Sequence, residues 1–319
     1  MPYKQEPPFA VQVELSEGCN LRCSFCGVNG IRGKERTYKF MTTKTAANLG
    51  KLIATAGWNV RLELAMHGEP TMNPKAAAII AVLRAYLPKA SIMMLSNGGG
   101  LLPDPDTKIN ALFEAGLNTL GLDEYEGITL VPKIIEQLGL VGDLCKRLYR
   151  YPDDPKASPH TPQKPSSARI VHIRPISLNE SGTHATLNNH AGAGAPLNDH
   201  GAGKRCAKPF REMSVRWDGG VAICCNDWRG KLKLGNVNTD TLDQIWNGPV
   251  AQAARRKLYR GERDFGPCLG CDATSYRVGL LPDKLGKVDL PKASKADNLL
   301  LIEASRQRPM TKPVKRDYE

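Results

Sequence analysis

Cys19, Cys23 and Cys26 stand in the run Cys19-Asn20-Leu21-Arg22-Cys23-Ser24-Phe25-Cys26, at C-x3-C-x2-C spacing. They follow an apolar stretch, Phe9 to Leu15, in which Val11, Val13 and Leu15 alternate as a strand requires. Three thiolates this close can hold three corners of a cubane [4Fe–4S] cluster, for which cysteine is the usual ligand. No fourth cysteine follows nearby, so one iron would keep an open position able to bind and activate a small molecule. The spacing suits a metal loop better than a disulfide framework, and half of a zinc site is the competing reading.

A second set of cysteines lies in the last third of the chain. Cys206, Cys224, Cys268 and Cys271 offer four thiolates from three separate places. A closed set of four has no open coordination position, so its work is electron transfer or stapling of the fold. Residue type alone leaves tetrahedral zinc and a cubane both open.

The elements that must position these groups read as βα units. Strands are expected at Phe9–Leu15, Val60–Met66, Ile92–Leu95, Leu117–Leu122, Asp143–Tyr151 and Ile170–Ile176. Helices are expected after Thr42 or Thr43, over Pro74–Leu87 with Asn73 as N-cap, after Asp104 or Asp106, and over Thr129–Leu138. A proline-, serine- and lysine-rich stretch, Pro152 to Ser167, is long for a βα connection and reads as a functional lid or a mobile loop. Parallel sheets and barrels place their chemistry at the C-terminal ends of the strands. The cysteine loop, His67-Gly68-Glu69-Pro70, Ser96-Asn97-Gly98 and Asp123 all fall at such ends. After Ile176 an irregular stretch from Asn188 to Gly203 is expected, then a hairpin around Asp218-Gly219-Gly220 and a helix from Thr241 to about Arg260. Residues beyond Gly286 carry little periodicity apart from Leu299 to Ile302. The division expected is 1–180 for the barrel, 181–285 for a second unit and 286–319 for a basic, flexible tail.

The 319 residues, 41% hydrophobic and 24% charged, suit one large domain with a smaller one. No apolar run approaches the roughly 18 residues of a membrane span, and the proline-rich start does not read as a secretory signal. Nine cysteines without such a signal point to metal ligation in a reducing, cytoplasmic compartment, the host cytoplasm if the chain is viral. The formal charge of +12 suits a polyanionic partner, an anionic substrate or simply a basic surface.

These residues resemble the radical S-adenosylmethionine (SAM) superfamily. The three-cysteine loop with Phe25 before its last cysteine matches that family's cluster loop, and Gly68-Glu69-Pro70 resembles its "GGEP" element, with His67 where glycine is usual. The resemblance implies a partial (β/α)6 TIM-like barrel. In it Gly68, Glu69 and Pro70 meet the SAM amino group, while Ser96, Asn97 and Asp123 line the ribose and substrate side. The pattern 206, 224, 268, 271, with Leu234 to Val237 and Ile245 to Gly248, is similar to the twitch form of the SPASM extension, a β-hairpin plus helix around one auxiliary [4Fe–4S] cluster. It prefers Cys224 over its neighbour Cys225 as ligand and leaves Cys145 and Cys225 unligated. It also implies an electron donor of flavodoxin or ferredoxin type.

The resemblance further implies that SAM chelates the open iron and is cleaved by one electron to methionine and a 5′-deoxyadenosyl radical, which abstracts a substrate hydrogen. The outcome is an oxidation, with the auxiliary cluster as acceptor, or a redox-neutral isomerisation. Arg174 is a candidate clamp for a carboxylate or phosphate. His172, His184, His190 and His200 lie where the two parts join, with no catalytic role assigned. A first strand near residue 9 leaves no room for a leader-binding module and weighs against a peptide substrate. Arg32, Lys34, Arg36, Lys39, Lys146, Arg147 and Arg150 tilt the choice towards a modified base in nucleic acid, such as amino-acid-decorated thymine in phage DNA. A small sugar or aminocyclitol is the alternative. A non-catalytic, metal-stapled nucleic-acid-binding protein is the alternative of another class.

Overall fold

The computed structural model describes residues 4–23, 25–30, 38–138, 148–150, 170–176, 189–194, 203–273 and 290–306. The expectations placed on Pro152–Ser167, Cys145, His184, His200, Arg32, Lys34, Arg36, Lys146 and Arg147 lie outside these residues.

The strands are β1 (Ala10–Val13), β2 (Ser16–Glu17), β3 (Lys39–Phe40), β4 (Arg61–Leu64), β5 (Ile92–Ser96), β6 (Thr119–Tyr125), β7 (Leu148–Arg150), β8 (Ile170–Ile176), β9 (Glu212–Val215), β10 (Gly220–Ala222) and β11 (Lys233–Asn236). The helices of the first half are α1 (Thr43–Thr55), α2 (Ala76–Tyr86), α3 (Pro105–Glu114) and α4 (Leu130–Gln137). One sheet has the order β11-β10-β9-β1-β4-β5-β6-β8-β7. Its strands from β9 to β7 run parallel, and only the hairpin β9-β10-β11 is antiparallel. Crossover helices follow from parallel pairing, since successive parallel strands need a long connection. The expected mixed α/β architecture with a partial TIM-like barrel is therefore the one found. At its far edge β7 lies outside β8, so the last two strands are not in sequence order.

One face of the sheet carries the apolar core. Val11, Val13, Leu62, Leu64, Ile92, Met94, Leu120 and Leu122 join Leu49, Ile53, Ile79, Ile80, Leu83, Ile109 and Ile134 from the helices in one buried cluster. Among the alternate residues, which face the other way, Gln12, Arg61, Glu63, Thr119 and Ser214 are polar although buried. Gln12 sits in register between Glu63 and Ser214 and donates to Glu63 at 3.1 Å. Glu14 continues that row upward to the ends of the strands, where the cysteine loop begins.

Helix starts follow their caps. Thr42 accepts from the Thr45 amide at 3.1 Å and Asp104 from the Thr107 amide at 3.3 Å, each worth about 1 kcal/mol. Asn73 does not cap α2. Its amide is taken by the carbonyls of Leu15 and Met41, and the helix starts three residues later, at Ala76. The helix expected from Thr241 to Arg260 is two, α6 (Leu242–Trp246) and α7 (Pro249–Tyr259), after the short α5 (Lys208–Arg211). Asn247-Gly248-Pro249 breaks it because proline tolerates only a first-turn position.

The expectation of a flexible tail is corrected over Lys295–Arg306, which forms helix α8. α8 packs on α7, with Arg256 paired to Asp297, Lys257 donating to Asn298 at 2.7 Å and Leu301 fully buried. Among the described residues no helix is long and apolar enough to cross a membrane.

Candidate functional site

The first site is assembled where β1, β4, β5 and β6 end. Gly68 adopts a φ of +62°, and a Cβ there would fall 2.2 Å from the Ser16 carbonyl and 2.4 Å from that of Gly18. Only glycine permits this approach, and it lets the Glu69 amide donate to Gly18 at 2.9 Å. The Gly68-Glu69-Pro70 turn is thus tied to the segment leading into Cys19.

Glu69 is 2% exposed. Its Oε1 accepts from the Thr71 amide at 3.0 Å, the Thr71 hydroxyl at 2.5 Å and the Ser96 hydroxyl at 2.6 Å. Oε2 accepts from the Asn97 amide at 2.8 Å and retains a lone pair for one more donor. Burial pushes this carboxyl up, against those hydrogen bonds. An added ammonium would offset that penalty, so the site fits a cationic ligand group. Ser96 and Asn97 stand behind it. Ser96 orients Glu69, and Asn97 donates to Asn20 Oδ1 at 3.1 Å and to Cys19 Sγ at 3.4 Å. Gly99 clears space for the Asn20 side chain, which a Cβ would meet at 2.1 Å. Pro70 opens the short turn that follows Glu69.

Cys19 also receives the Leu21 amide at 3.4 Å. Burial pushes its thiol up to about 12, helped by the neighbouring Glu69, Cys26 and Cys23. Tyr125, at the end of β6, is raised by burial and by Asp123, Cys23 and Cys26, and its ring lies 6.0 Å from that of Phe25. Asp123 pairs with Arg174 on β8 at 3.1 Å. The strand ends therefore bring the three cysteines, Glu69, Asp123 and Arg174 to one end of the sheet.

The second site is buried. Cys206, Cys224, Cys268 and Cys271 are each 7–8% exposed. Ile223, Leu232, Ala253, Ala254, Leu258, Phe265 and Leu301 pack around Cys206, Cys224 and Cys268. Burial raises Cys206, Cys224 and Cys268, and the charge of the other cysteines in the set adds to it for each. Thiolates packed in one apolar pocket need a compensating metal charge. Four thiolates suit a cubane cluster, in which each holds its own iron. Asn226 leaves a buried amide nitrogen without a protein partner two residues from Cys224, a donor free for cluster sulfur.

Several supporting residues carry no sequence signature. Arg263 is buried and donates to the carbonyls of Lys204, Arg205, Cys271 and Ala273, bracing two cysteine segments at once. Asp227 accepts from the Lys231 and Leu232 amides and closes the loop after Cys224. Trp228 donates to His190 Nδ1 at 3.0 Å and packs with Val28 and Ala193 against Cys19 and Cys26. His190 thus supports the cluster loop. Cys225 receives Lys208 Nζ at 3.2 Å. Of the basic residues expected to meet phosphates, Lys39 is paired with Glu17 at 2.5 Å.

Residues 13–123 match the model of the radical SAM superfamily and residues 206–272 that of the SPASM iron–sulfur cluster-binding domain. A 2-deoxy-scyllo-inosamine dehydrogenase of Niallia circulans, dependent on S-adenosyl-L-methionine, is 20% identical over 84% of this chain and 94% of its own length. The crystal structure of BtrN in complex with AdoMet and 2-DOIA has a TM-score of 0.65 at 18% identity, covering 87% of this chain and 98% of that one. BtrN in an open conformation gives 0.57 at 17% identity, covering 85% and 95%. These relatives lend no support to the expected nucleic-acid substrate or to isomerisation. The chain belongs to the radical SAM superfamily, as a radical SAM enzyme with a SPASM iron–sulfur domain after its barrel, a SAM-binding [4Fe–4S] cluster and an auxiliary cluster.

Proposed function

We propose that the enzyme is a dehydrogenase that converts a hydroxyl-bearing carbon of a small polar substrate, of sugar or aminocyclitol type, into a carbonyl. One observation carries this reading. The closed four-cysteine pocket is built onto the barrel sheet through β9 beside β1, and Trp228 reaches from its loop to Cys19 and Cys26. This proximity supports the four-cysteine pocket as electron acceptor for the site of hydrogen abstraction. The similarity to a SAM-dependent aminocyclitol dehydrogenase supports the same substrate class.

Cys19, Cys23 and Cys26 would hold the first cluster, and Cys206, Cys224, Cys268 and Cys271 the auxiliary one. When bound, these groups and SAM supply reductive hydrogen-atom abstraction and a one-electron acceptor. The protein's residues do the rest. Glu69 Oε2, oriented by Ser96, Thr71 and Asn97, would receive the SAM ammonium in a charge-assisted bond. Asp123, held by Arg174, orients the substrate hydroxyl and accepts its proton. The half-buried rings of Tyr125 and Phe25 keep water from the reacting end. The balance is one hydrogen atom lost from carbon, one proton from oxygen and one electron passed to the acceptor.

The test is anaerobic turnover with SAM, dithionite and a panel of aminocyclitols and sugars. The expected result is equimolar 5′-deoxyadenosine and a product two mass units lighter that reacts as a carbonyl. An isomeric product, or turnover restricted to oligonucleotides, would contradict the proposal.

A further inference from the structure

His67 occupies the position where the family element has glycine, and its ring joins the two halves of the chain. It is 2% exposed. Nδ1 lies 2.8 Å from Glu14 Oε1, and Nε2 lies 2.6 Å from the carbonyl oxygen of Cys225. A carboxylate and a carbonyl only accept, so both ring nitrogens must donate. The ring stacks on Trp228 with centroids 4.2 Å apart. Glu14, the counter-ion, also accepts from the Trp217 amide at 3.1 Å and faces Arg216 at 3.7 Å. Cys225 follows the ligand Cys224 directly. A cationic donor is therefore fixed on the peptide next to an auxiliary-cluster ligand, at the other end of the turn that carries Glu69.

We propose that His67 is a positioning residue that sets the reduction potential of the auxiliary cluster while fastening the Cys224 loop to the Gly68–Pro70 turn. This rests on the reading of the four-cysteine pocket as a redox site. A positive charge and its N–H donor near a cluster favour the state with one more electron. The ring thus makes the site a better acceptor for the electron released by substrate oxidation. A glycine at this position would supply neither the charge nor the bond.

The test is an anaerobic dithionite titration, followed by electron paramagnetic resonance, of the full chain carrying Cys23→Ala to remove the first cluster. His67→Gln, which lacks the charge, is expected to lower the auxiliary midpoint potential. Glu14→Gln, which removes the counter-charge and leaves the Cys225 contact, is expected to raise it. Shifts of the same sign, no shift, or loss of auxiliary iron from both variants would reduce His67 to scaffolding and overturn the inference. A parent protein whose auxiliary iron accepts no electron would overturn the redox reading along with it.

Discussion

Replacing Glu69 by Gln tests the first site through a single atom. The change keeps shape and volume but removes the charge that meets the SAM ammonium. A hydrogen bond to a charged partner is worth about 1.5–3 kcal/mol. At 1.4 kcal/mol per tenfold, SAM affinity should fall about 10- to 150-fold. The structure adds a second effect. Oε1 receives three donors and Oε2 one, so the amide NH2 must face a donor in either orientation. The milder arrangement sets it against the Asn97 amide, at a cost of about 1–3 kcal/mol to the fold. Calorimetric titration of SAM into the iron-loaded variant measures the first effect, and its thermal midpoint the second. A dissociation constant within about threefold of the parent, at equal iron content, would refute the assignment of Oε2 to the ammonium.

Three further outcomes follow from the same geometry. Cys224→Ser should lose the auxiliary cluster, about four irons per chain, whereas Cys225→Ser, whose sulfur faces Lys208, should retain it; iron analysis decides. Leu301→Ala should cost about 2–5 kcal/mol by opening a cavity in the apolar wall that holds Cys206, Cys224 and Cys268, and should hasten bleaching of the auxiliary absorbance in air. For Glu14, burial opposes ionisation, but His67, Arg216 and the Trp217 amide prevail and hold the carboxyl below its usual 4.5. A depressed carboxyl stabilises the fold above its unfolded value and loses that contribution as pH falls through the native one. The stability gap between wild type and Glu14→Gln should therefore be full at neutral pH and shrink below about pH 4 in acid denaturation.

Much of the barrel was legible because its signals are local. Thr42 and Asp104 announce their helices through side chains that must reach amides three residues on. Asp218-Gly219-Gly220 marks its hairpin through a glycine at φ +82°. The run from Cys19 to Cys26 is legible for the same reason, since its three cysteines lie close together in sequence. The pairing of β9 with β1 was not legible, since it joins residues some two hundred positions apart and depends on register rather than propensity. Helix α8 was missed because its support is tertiary: Leu301, Asp297 and Asn298 gain their partners only when α7 lies beneath them. Arg263 and Asp227 are ordinary residues in sequence, and their work shows only in the carbonyls and amides they collect. Asn247-Gly248-Pro249 was a visible helix break that amphipathic spacing on either side masked.

The account depends on an open iron held by Cys19, Cys23 and Cys26. Anaerobic reconstitution followed by iron analysis and assay for 5′-deoxyadenosine with SAM and dithionite tests it most directly. The expected result is about eight irons per chain, in two [4Fe–4S] clusters, with 5′-deoxyadenosine formed by the parent and abolished in Cys23→Ala. Zinc in place of iron at that loop, or cleavage of SAM that survives Cys23→Ala, would contradict it.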